Sequence, residues 1–430
     1  MPEITAFRAI RYRPERFGGD WSALIAPPYD VLGAADKARL LERCERNIVA
    51  IDLPHVPPES AGPDEVYQAA DGLLRRWLAD GTLQQDDRPA IYVYHQEYAH
   101  AGRTYLRRKF FARMRLEPFG AGTVFPHEQT FGGPKEDRLK LMQATRCQLS
   151  AVFGLYSDPA GEVSGLFEVA GRAPDVTAVA DGVVNRLWAV SDPAVIEAVA
   201  RAMRDRPVYI ADGHHRYGTA LMYRDMLAGQ RGSLPPDDPA QFVLVGFCAM
   251  EDPGAIILPT HRVISDFSDV PPARVLEALR HGVALEPLPV SPEDADRILP
   301  PDSPHDLAVY VAAGNALYAG RFTQRGMMDR LAAEMSPAWR QLDVAYIHRV
   351  LIDHFVRQAL DGRACRTQYC KVTADTIPLA RSTGGVALFC KACTVGQLKA
   401  VSDAGDLMPQ KSTFFYPKLA TGLVICPLEA

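Results

Sequence analysis

The chain lacks long apolar runs and any marked excess of basic residues. No stretch of about 18 consecutive apolar residues occurs, so we expect no membrane span. Residues 1–5 also lack the basic and apolar regions of a signal peptide, and the two absences together predict a cytoplasmic protein. The formal net charge is −5 and the pI is about 6.1. Because general nucleic-acid-binding proteins are basic, we expect no nucleic acid and no membrane among the partners.

Cysteine is scarce as well, with eight residues in a chain of 430. So few thiols do not form the disulfide framework of a small secreted protein. Cys390 and Cys393 form a C-x-x-C pair, but the upstream pair, Cys365 and Cys370, has C-x4-C spacing. Since Cys390 also closes an apolar run, we favour buried thiols over a structural zinc site and expect no zinc.

Two common catalytic signatures are missing. No G-x-S-x-G sequence marks a nucleophilic serine, and no G-x-x-x-x-G precedes Lys411 as a P-loop requires. The composition is otherwise that of an ordinary globular protein, with 47% hydrophobic and 23% charged residues. The length predicts two or three domains.

What the sequence does contain is a dense polar segment, Asp212-Gly213-His214-His215-Arg216, between an apolar run and an amphipathic run. The pattern predicts a short buried strand that leads into a helix. At such a turn the helix N-terminus favours an anion, Gly213 lets the backbone approach a ligand closely, and Arg216 can contact two phosphate oxygens. We interpret the segment as a phosphate or nucleotide site; the alternative is two histidines that only form hydrogen bonds within a turn. A shared zinc is disfavoured, because adjacent residues point in different directions.

A second polar segment, His127-Glu128-Gln129-Thr130, lies in a region rich in glycine and proline and is followed by Asp137 and Arg138. Glu128 is a candidate general base, with His127 as its partner or as a metal ligand. A solvated polar loop is an equally good interpretation of this spacing.

A third polar segment spans residues 409–418 and holds Lys411, Ser412, Thr413 and Lys418 among aromatic residues. Ammonium groups and hydroxyls of this kind hold phosphate oxygens. We therefore favour a ligand-binding role over a merely well-packed strand.

Two residue pairs give weaker signals. Tyr29 and Asp30 follow two prolines, and His261 and Arg262 follow another proline-containing turn. Together with Asp137 and Arg138 they are candidates for a substrate cleft, although turn chemistry alone explains each pair when it is read by itself.

The basic cluster at residues 103–109 alternates with aromatic and aliphatic residues. This alternation predicts one charged face of a strand and leaves a site for an anionic metabolite as the alternative.

Strands and helices mix along the chain without regular alternation. This order predicts an α+β fold with a mixed β-sheet core rather than a doubly wound fold. We expect an N-terminal α+β region at residues 1–265, a smaller proline-rich α/β insert at residues 266–342, and a C-terminal α/β segment at residues 343–430 that packs back on the site.

Together these segments resemble a widespread bacterial family that is built around a D-G-H-H-R box. The matching segments cover nearly the whole chain and lie at residues 27–31, 127–130, 137–139, 212–217, 259–262 and 410–418. The box, residues 212–216, also resembles the phosphate-binding box of the ParB and sulfiredoxin-like superfamily, which includes free-serine kinases with a D-G-H-H-R box. Sulfiredoxin requires a cysteine in its box, and none lies between Cys147 and Cys248. A partition protein requires a DNA-binding module and a basic face, and neither is evident.

The box and the resemblance together imply a nucleotide-dependent phosphotransferase for a small hydroxylated metabolite, with free L-serine as the leading acceptor. ATP or ADP would donate the phosphoryl group, and Asp212 would hold Mg²⁺ or orient the acceptor hydroxyl. Gly213, His214, His215 and Arg216 would bind the phosphates, and Glu128 would take the hydroxyl proton. Lys411 and Lys418, beside Ser412 and Thr413, would neutralise developing charge. The alternatives are a nucleotide-binding sensor without turnover and a phosphatase or nuclease with the same phosphate cradle.

Overall fold

The computed structural model describes residues 2–129, 132–267 and 269–429, without the side chains at positions 296 and 297. The chain divides into two compact units, of which the first comprises Met1–Ile256 and Pro417–Ala430 and the second Ile257–Tyr416. The division differs from the segments expected from sequence, whose boundaries lie at residues 265 and 342. The reason is that strands from both later segments pair in one sheet, and the chain returns to the first unit at its end.

A mixed sheet forms the centre of the first unit, as an α+β fold requires. Among the described residues it has nine strands, in the order Val124–Phe125, Val208–Asp212, Val152–Tyr156, Phe242–Ala249, Arg103–Arg115, Ile91–His100, Val183–Val190 and Val176–Ala180, with Ile4–Thr5 paired to Arg103–Arg115. Two neighbouring pairs are parallel and the others are antiparallel. The predicted mixed sheet is confirmed.

Helices and short strand pairs surround this sheet. The helices are Ala34–Arg43, Val49–Asp52, Asp64–Ala79, Gly132–Thr145, Pro193–Met203 and His214–Arg231, with single 3-10 turns at Pro14–Phe17, Tyr29–Val31, Ser164–Leu166 and Pro239–Gln241. Two small antiparallel pairs join Ile10–Tyr12 to Leu83–Gln85 and Cys147–Gln148 to Cys426–Pro427. The second of these pairs fixes the returning end of the chain on the first unit.

The apolar core of the first unit lies between the sheet and the helix His214–Arg231. Val208 and Ile210 are fully buried, and so is Tyr217 on the helix. The apolar spacing that predicted a strand followed by a helix therefore reflects real burial on both elements. This packing fixes the turn between them, where the polar box lies.

The second unit is built on an antiparallel sheet. Its six strands among the described residues are, in order, Val283–Leu288, Ala316–Phe322, Leu307–Val311, Val386–Cys390, His261–Ser265 and Arg366–Cys370. The helices are Pro272–Arg280, Ala295–Ile298, Met328–Leu331, Pro337–Arg340, Asp343–Tyr346, Arg357–Ala359, Thr373–Thr383 and Val395–Asp403, and the 3-10 turns are Pro292–Asp294, Ala312–Gly314 and Arg325–Met327. The remaining strands are Ile256–Leu258 and Phe414–Tyr416.

One helical stretch of the second unit departs from regular α-helical geometry. The apolar spacing at Val344, Ile347 and Leu351 predicts a long helix, and the chain is indeed helical there. The central part, Ile347–Val356, is however a π-helix, a form that is rare and concentrated at functional sites. In the described part of the chain, no helix is both long and apolar enough to cross a membrane.

Candidate functional site

The D-G-H-H-R box occupies the turn between the strand Val208–Asp212 and the helix His214–Arg231, here called the box strand and the box helix. Gly213 joins them with φ +89°, a left-handed conformation that side chains rarely adopt. A Cβ atom at this position would lie 2.9 Å from Nε of Arg216 and 3.2 Å from the backbone of Val152. Both the backbone angle and the space therefore require glycine.

Asp212 lies between two cations. Its Oδ1 atom is 3.3 Å from Nζ of Lys418, and its Oδ2 atom is 3.1 Å from Nη2 of Arg216. Arg216 is almost fully buried, with 7% of its side chain exposed, and its Nη2 atom also lies 3.7 Å from a carboxylate oxygen of Asp30. Its Nη1 atom donates to the carbonyl of Ala151. The box thus holds a buried guanidinium and a lysine beside one carboxylate, at the N-terminus of a long helix.

These charges set the ionisation of the carboxylate. Burial alone would raise the pKa of Asp212, but Lys418 and Arg216 outweigh it and hold that pKa well below its ordinary value. Burial would lower the pKa of Arg216, but Asp212 and Asp30 raise it instead. Asp212 and Arg216 are therefore both charged at neutral pH.

Two histidines pack edge to face beside the box. The ring centroids of His127 and His214 are 4.6 Å apart, and Nδ1 of His127 donates to the carbonyl of Ile210 at 2.6 Å. The backbone N–H of His127 donates to Nε2 of His214 at 3.2 Å, so the neutral His214 carries its proton on Nδ1. Burial lowers the pKa of His127 to about 4, and burial together with His127 lowers that of His214. Both rings are neutral at pH 7.

Glu128 is a more accessible carboxylate than Asp212. Its Oε2 atom lies 3.9 Å from Nδ1 of His214, and 30% of its side chain is exposed. Since His127 is fully enclosed, its ring positions His214 and does not reach a substrate itself. Thr130 of the same motif lies outside the described residues. His215, the second residue of the box helix, is half-buried.

Lys418 reaches the box because buried polar groups hold the backbone around it. Nε2 of Gln96 donates to the carbonyl of Lys418 at 3.0 Å, and Nη2 of Arg107 donates to the carbonyl of Pro417. Oε1 of Gln96 in turn accepts from Arg107 at 2.5 Å and from Lys109. Arg107 and Lys109 are 0% and 3% exposed. These groups form a fixed base for the segment that carries Lys418.

Asp30, one of the substrate-cleft candidates, lies beside the box. Asp30 approaches Arg216, and its neighbour Tyr29 is buried with the Arg138 guanidinium 3.9 Å above its ring. Asp137 accepts from Arg138 at 2.7 Å and from the hydroxyl of Tyr67 at 2.6 Å. Asp137 and Arg138 are therefore buried groups that support Tyr29 from behind, whereas Asp30 faces the box itself.

The other candidates lie in the second unit. His261 is buried and accepts from the backbone N–H of Cys390 at 3.2 Å. Arg262 is fully buried; its Nε donates to His348 at 3.1 Å and its Nη2 to the carbonyl of Lys411 at 3.3 Å. Arg262 thus supports the segment that contains Lys411, whereas His261 contacts the strand Val386–Cys390.

The segment after Pro409 has a strained turn. Lys411 is exposed and has φ +54°, a left-handed conformation that is uncommon outside glycine. The hydroxyl of Ser412 is buried and donates to the carbonyl of Pro409, and Thr413 is half-buried. The hydroxyl of Ser412 thus donates its hydrogen bond within the turn.

The donor set around Asp212 does not fit a bound magnesium ion. Each oxygen of the carboxylate faces a cation, Lys418 on one side and Arg216 on the other. In the described part of the chain, no three histidine, cysteine, aspartate or glutamate side chains are grouped as metal ligands. The expectation that Asp212 holds Mg²⁺ is therefore at odds with the geometry, and we derive no step through a protein-bound metal.

Gln96, Arg107 and Lys109 are the residues that sequence reasoning missed. The basic cluster was expected to form one charged face of a strand, but Arg107 and Lys109 are buried on one face of Arg103–Arg115 while Arg108 points to the other. Consecutive strand residues must alternate in this way. The available signal was the spacing of Arg107 and Lys109 by two, which places both side chains on one face of the strand.

Comparison with known proteins identifies the family. A model of the family described as "Protein of unknown function (DUF1015)" matches residues 4–345, and the chain belongs to this family. No curated protein sequence matches the chain. The predicted membership of a family of unknown function is confirmed at this level.

Similarity to solved structures is weak. A free serine kinase mutant in complex with AMP matches with 12% identity and a TM-score of 0.32, covering 68% of this chain and 83% of that one. A conserved hypothetical protein from Pyrococcus furiosus matches with 13% identity and a TM-score of 0.30, covering 69% and 89%. SbnI from Staphylococcus aureus, truncated at its C-terminus, matches with 11% identity and a TM-score of 0.30, covering 71% and 84%. Similarity of this degree supports no statement about activity.

Proposed function

We propose that this member of the DUF1015 family is a nucleotide-dependent phosphotransferase that acts on a small hydroxylated metabolite. The observation that carries the proposal is the placement of Asp212, Arg216 and Lys418 at the N-terminus of the box helix. Phosphoryl transfer depends on positioning and on charge neutralisation more than on a strong nucleophile. The strand-to-helix turn positions these residues, and Arg216 and Lys418 supply the positive charge that neutralises phosphate.

The phosphate groups of the donor belong at the turn after Asp212. The N-terminus of the box helix carries a partial positive charge, which favours an anion at this turn. Lys418, with 16% of its side chain exposed, is the cation that would pair with a phosphate oxygen. The nucleotide is expected to be ATP or ADP and to bring Mg²⁺ with it as part of the substrate.

The two carboxylates suit different roles. Asp212 is a poor proton acceptor, because its pKa is held far below neutral, and it orients the acceptor hydroxyl instead. Glu128 is the proton acceptor, and its carboxylate lies 3.9 Å from Nδ1 of His214. In the reaction the acceptor oxygen forms a bond to phosphorus, the bond between phosphorus and the nucleotide oxygen breaks, and the hydroxyl proton passes to Glu128.

Free L-serine is the first acceptor to test, because the D-G-H-H-R box of this chain resembles that of free-serine kinases. The proposal rests on residues of the first unit. The roles suggested for Lys411, Ser412, Thr413, His261 and Arg262 remain predictions.

The test is phosphorus NMR of the purified full chain with Mg²⁺, ATP or ADP, and free amino acids that include L-serine. We expect a new phosphomonoester signal that is absent for Asp212→Asn and for Glu128→Gln. Glu136→Gln is the matched control, since Glu136 is an exposed carboxylate on the following helix, and it should leave the rate unchanged. Nucleotide binding without a phosphorylated acceptor would replace the proposal with a sensor, and release of inorganic phosphate without an acceptor would replace it with a phosphatase.

A further inference from the structure

A cavity lies on one face of the nine-stranded sheet, opposite to the face that carries Gln96 and Arg107. Its volume is about 910 Å³, and residues of five strands of the sheet, of the turn at residues 251–253 and of the segment at residues 158–174 line it. Gln96 and Arg107, which support Lys418, have His95 and Arg108 as their sequence neighbours on the same strands. Because successive strand residues point to opposite faces, His95 and Arg108 face away from the Lys418 side and line this cavity.

Three of the lining side chains form a row across the sheet. His95 is directly opposite Arg108 on one neighbouring strand and directly opposite Arg186 on the other. Side chains in directly opposed positions are about 5 Å apart at Cβ and share one face of the sheet. Two guanidinium groups therefore flank one imidazole.

Each arginine of this row has one carboxylate neighbour. Arg186 pairs with Glu97 at 3.0 Å and Arg108 approaches Asp252 at 3.7 Å, and half of the Arg108 side chain is exposed. Burial, followed by the nearby cations Arg108, Lys109 and Arg186, lowers the pKa of His95 to about 4, so the imidazole adds no charge at neutral pH. Its N–H remains a neutral donor between two cations.

The carboxylates in the cavity wall are engaged within the protein. Asp158 accepts from the backbone N–H groups of Val163 and Ser164, and Glu251 accepts from Ser157 and from the backbone of Asp158. The arginines of the lining are Arg108, Arg172 and Arg186, and the remaining carboxylate of the wall, Asp252, lies beside Arg108. Such a surface attracts an anion.

Much of the rest of the lining is apolar. Leu106, Phe110, Phe167 and Ala170 contribute to the wall, and Trp188 packs against His95 with ring centroids 4.9 Å apart. The volume lies within the range of about 300–1,000 Å³ that is usual for small-molecule sites. We propose that this cavity binds a small anion that carries a flat ring, with its phosphate or carboxylate group between Arg108 and Arg186 and its ring against Phe110 and Phe167.

Calorimetric titration of the full chain tests the site with two ring-bearing probes, adenosine 5′-monophosphate and indole-3-acetate, and with inorganic phosphate as a probe without a ring. We expect at least one ring probe to bind more tightly than phosphate does. Since a hydrogen bond to a charged group contributes about 1.5–3 kcal/mol, Arg108→Gln and Arg186→Gln should each weaken that binding about tenfold or more. Arg103→Gln, an exposed arginine on the same strand as Arg108, should not change it.

The probes also identify the source of the anion. Binding of the monophosphate alone indicates a nucleotide ligand, and binding of the indole acid alone indicates an aromatic carboxylate. Failure of both ring probes to bind overturns the proposal, as does binding that is indifferent to Arg108→Gln and Arg186→Gln. Monophosphate binding that is lost in Lys418→Met but kept in the arginine variants belongs to the box and overturns the nucleotide assignment. The site does not depend on the proposed phosphotransferase activity, so either proposal can fail alone.

Discussion

Replacing Asp212 with asparagine removes the carboxylate that lies 3.3 Å from Lys418 and 3.1 Å from Arg216. With an effective dielectric constant of about 20, each attraction amounts to roughly 5 kcal/mol before desolvation is counted. Burial of the three charges opposes this gain, and Asp30 keeps a weaker attraction for Arg216 at 3.7 Å. Because removal of one partner from a buried ion pair costs about 3–5 kcal/mol, we expect Asp212→Asn to lower the free energy of unfolding of the first unit by about 3 kcal/mol.

The pH dependence of this loss follows from the lowered pKa of Asp212. A carboxylate whose pKa is lower in the folded state stabilises that state fully above its unfolded pKa, which is about 3.9. The contribution disappears as pH falls through the folded pKa. The difference between the native chain and Asp212→Asn should therefore be constant from pH 8 to pH 5 and shrink only below about pH 4.

The assay must report on the first unit alone, because two compact units can unfold in separate transitions. Hydrogen exchange of peptides from the box strand, Val208–Asp212, measured by mass spectrometry at increasing urea, gives that local free energy. Glu197→Gln serves as the control, since the pair Arg201–Glu197 is exposed and contributes less than about 1 kcal/mol. If the two variants changed the box strand equally, the charge arrangement inferred for Asp212 would be wrong.

Two further predictions concern Gly213 and His127. Gly213→Ala should destabilise the first unit by more than about 1 kcal/mol in thermal unfolding, because φ is +89° and the added Cβ meets Arg216 and Val152. Gly229→Ala on the same helix has open space and should be neutral or stabilising; equal effects of the two changes would contradict the requirement for glycine. His127 stays neutral when folded down to about pH 4 but protonates near pH 6.5 when unfolded, so stability should fall as pH drops between these values, by up to about 1.4 kcal/mol per pH unit. His127→Gln should flatten the plot of unfolding free energy against pH from 7 to 5, and an unchanged slope would refute the inference.

Local patterns predicted the turn at the box well. The apolar run and the helical spacing after it indicated a strand and a helix, and the structure has them at Val208–Asp212 and His214–Arg231. Thr394 and Gln397, three residues apart, form a capping box of the same local kind, with reciprocal hydrogen bonds of 3.1 and 2.9 Å. Such features depend on residues a few positions apart, so the sequence carries them directly.

Features that depend on distant strands were not predictable in the same way. The order of strands in the nine-stranded sheet differs from their order in the chain, so Gln96 and Arg107 come to lie under Pro417 and Lys418 through pairing that no local period encodes. The burial of Arg107 and Lys109 follows from this pairing. A sequence window around the cluster shows three consecutive basic residues, and charged residues are usually exposed.

The C-terminal segment that returns to the first unit helps to stabilise the buried cation Arg107. A buried cation requires an acceptor, and for Arg107 the carbonyl of Pro417 and the amide oxygen of Gln96 provide two. The same contacts fix the residue after Pro417, and its ammonium group then pairs with Asp212. The hydrogen bonds that satisfy Arg107 also hold the backbone that carries Lys418. The stability of the sheet interior and the geometry of the candidate site therefore depend on the same contacts. A substitution of Gln96 should therefore disturb the box as well as the core, although Gln96 contacts neither Asp212 nor a substrate directly.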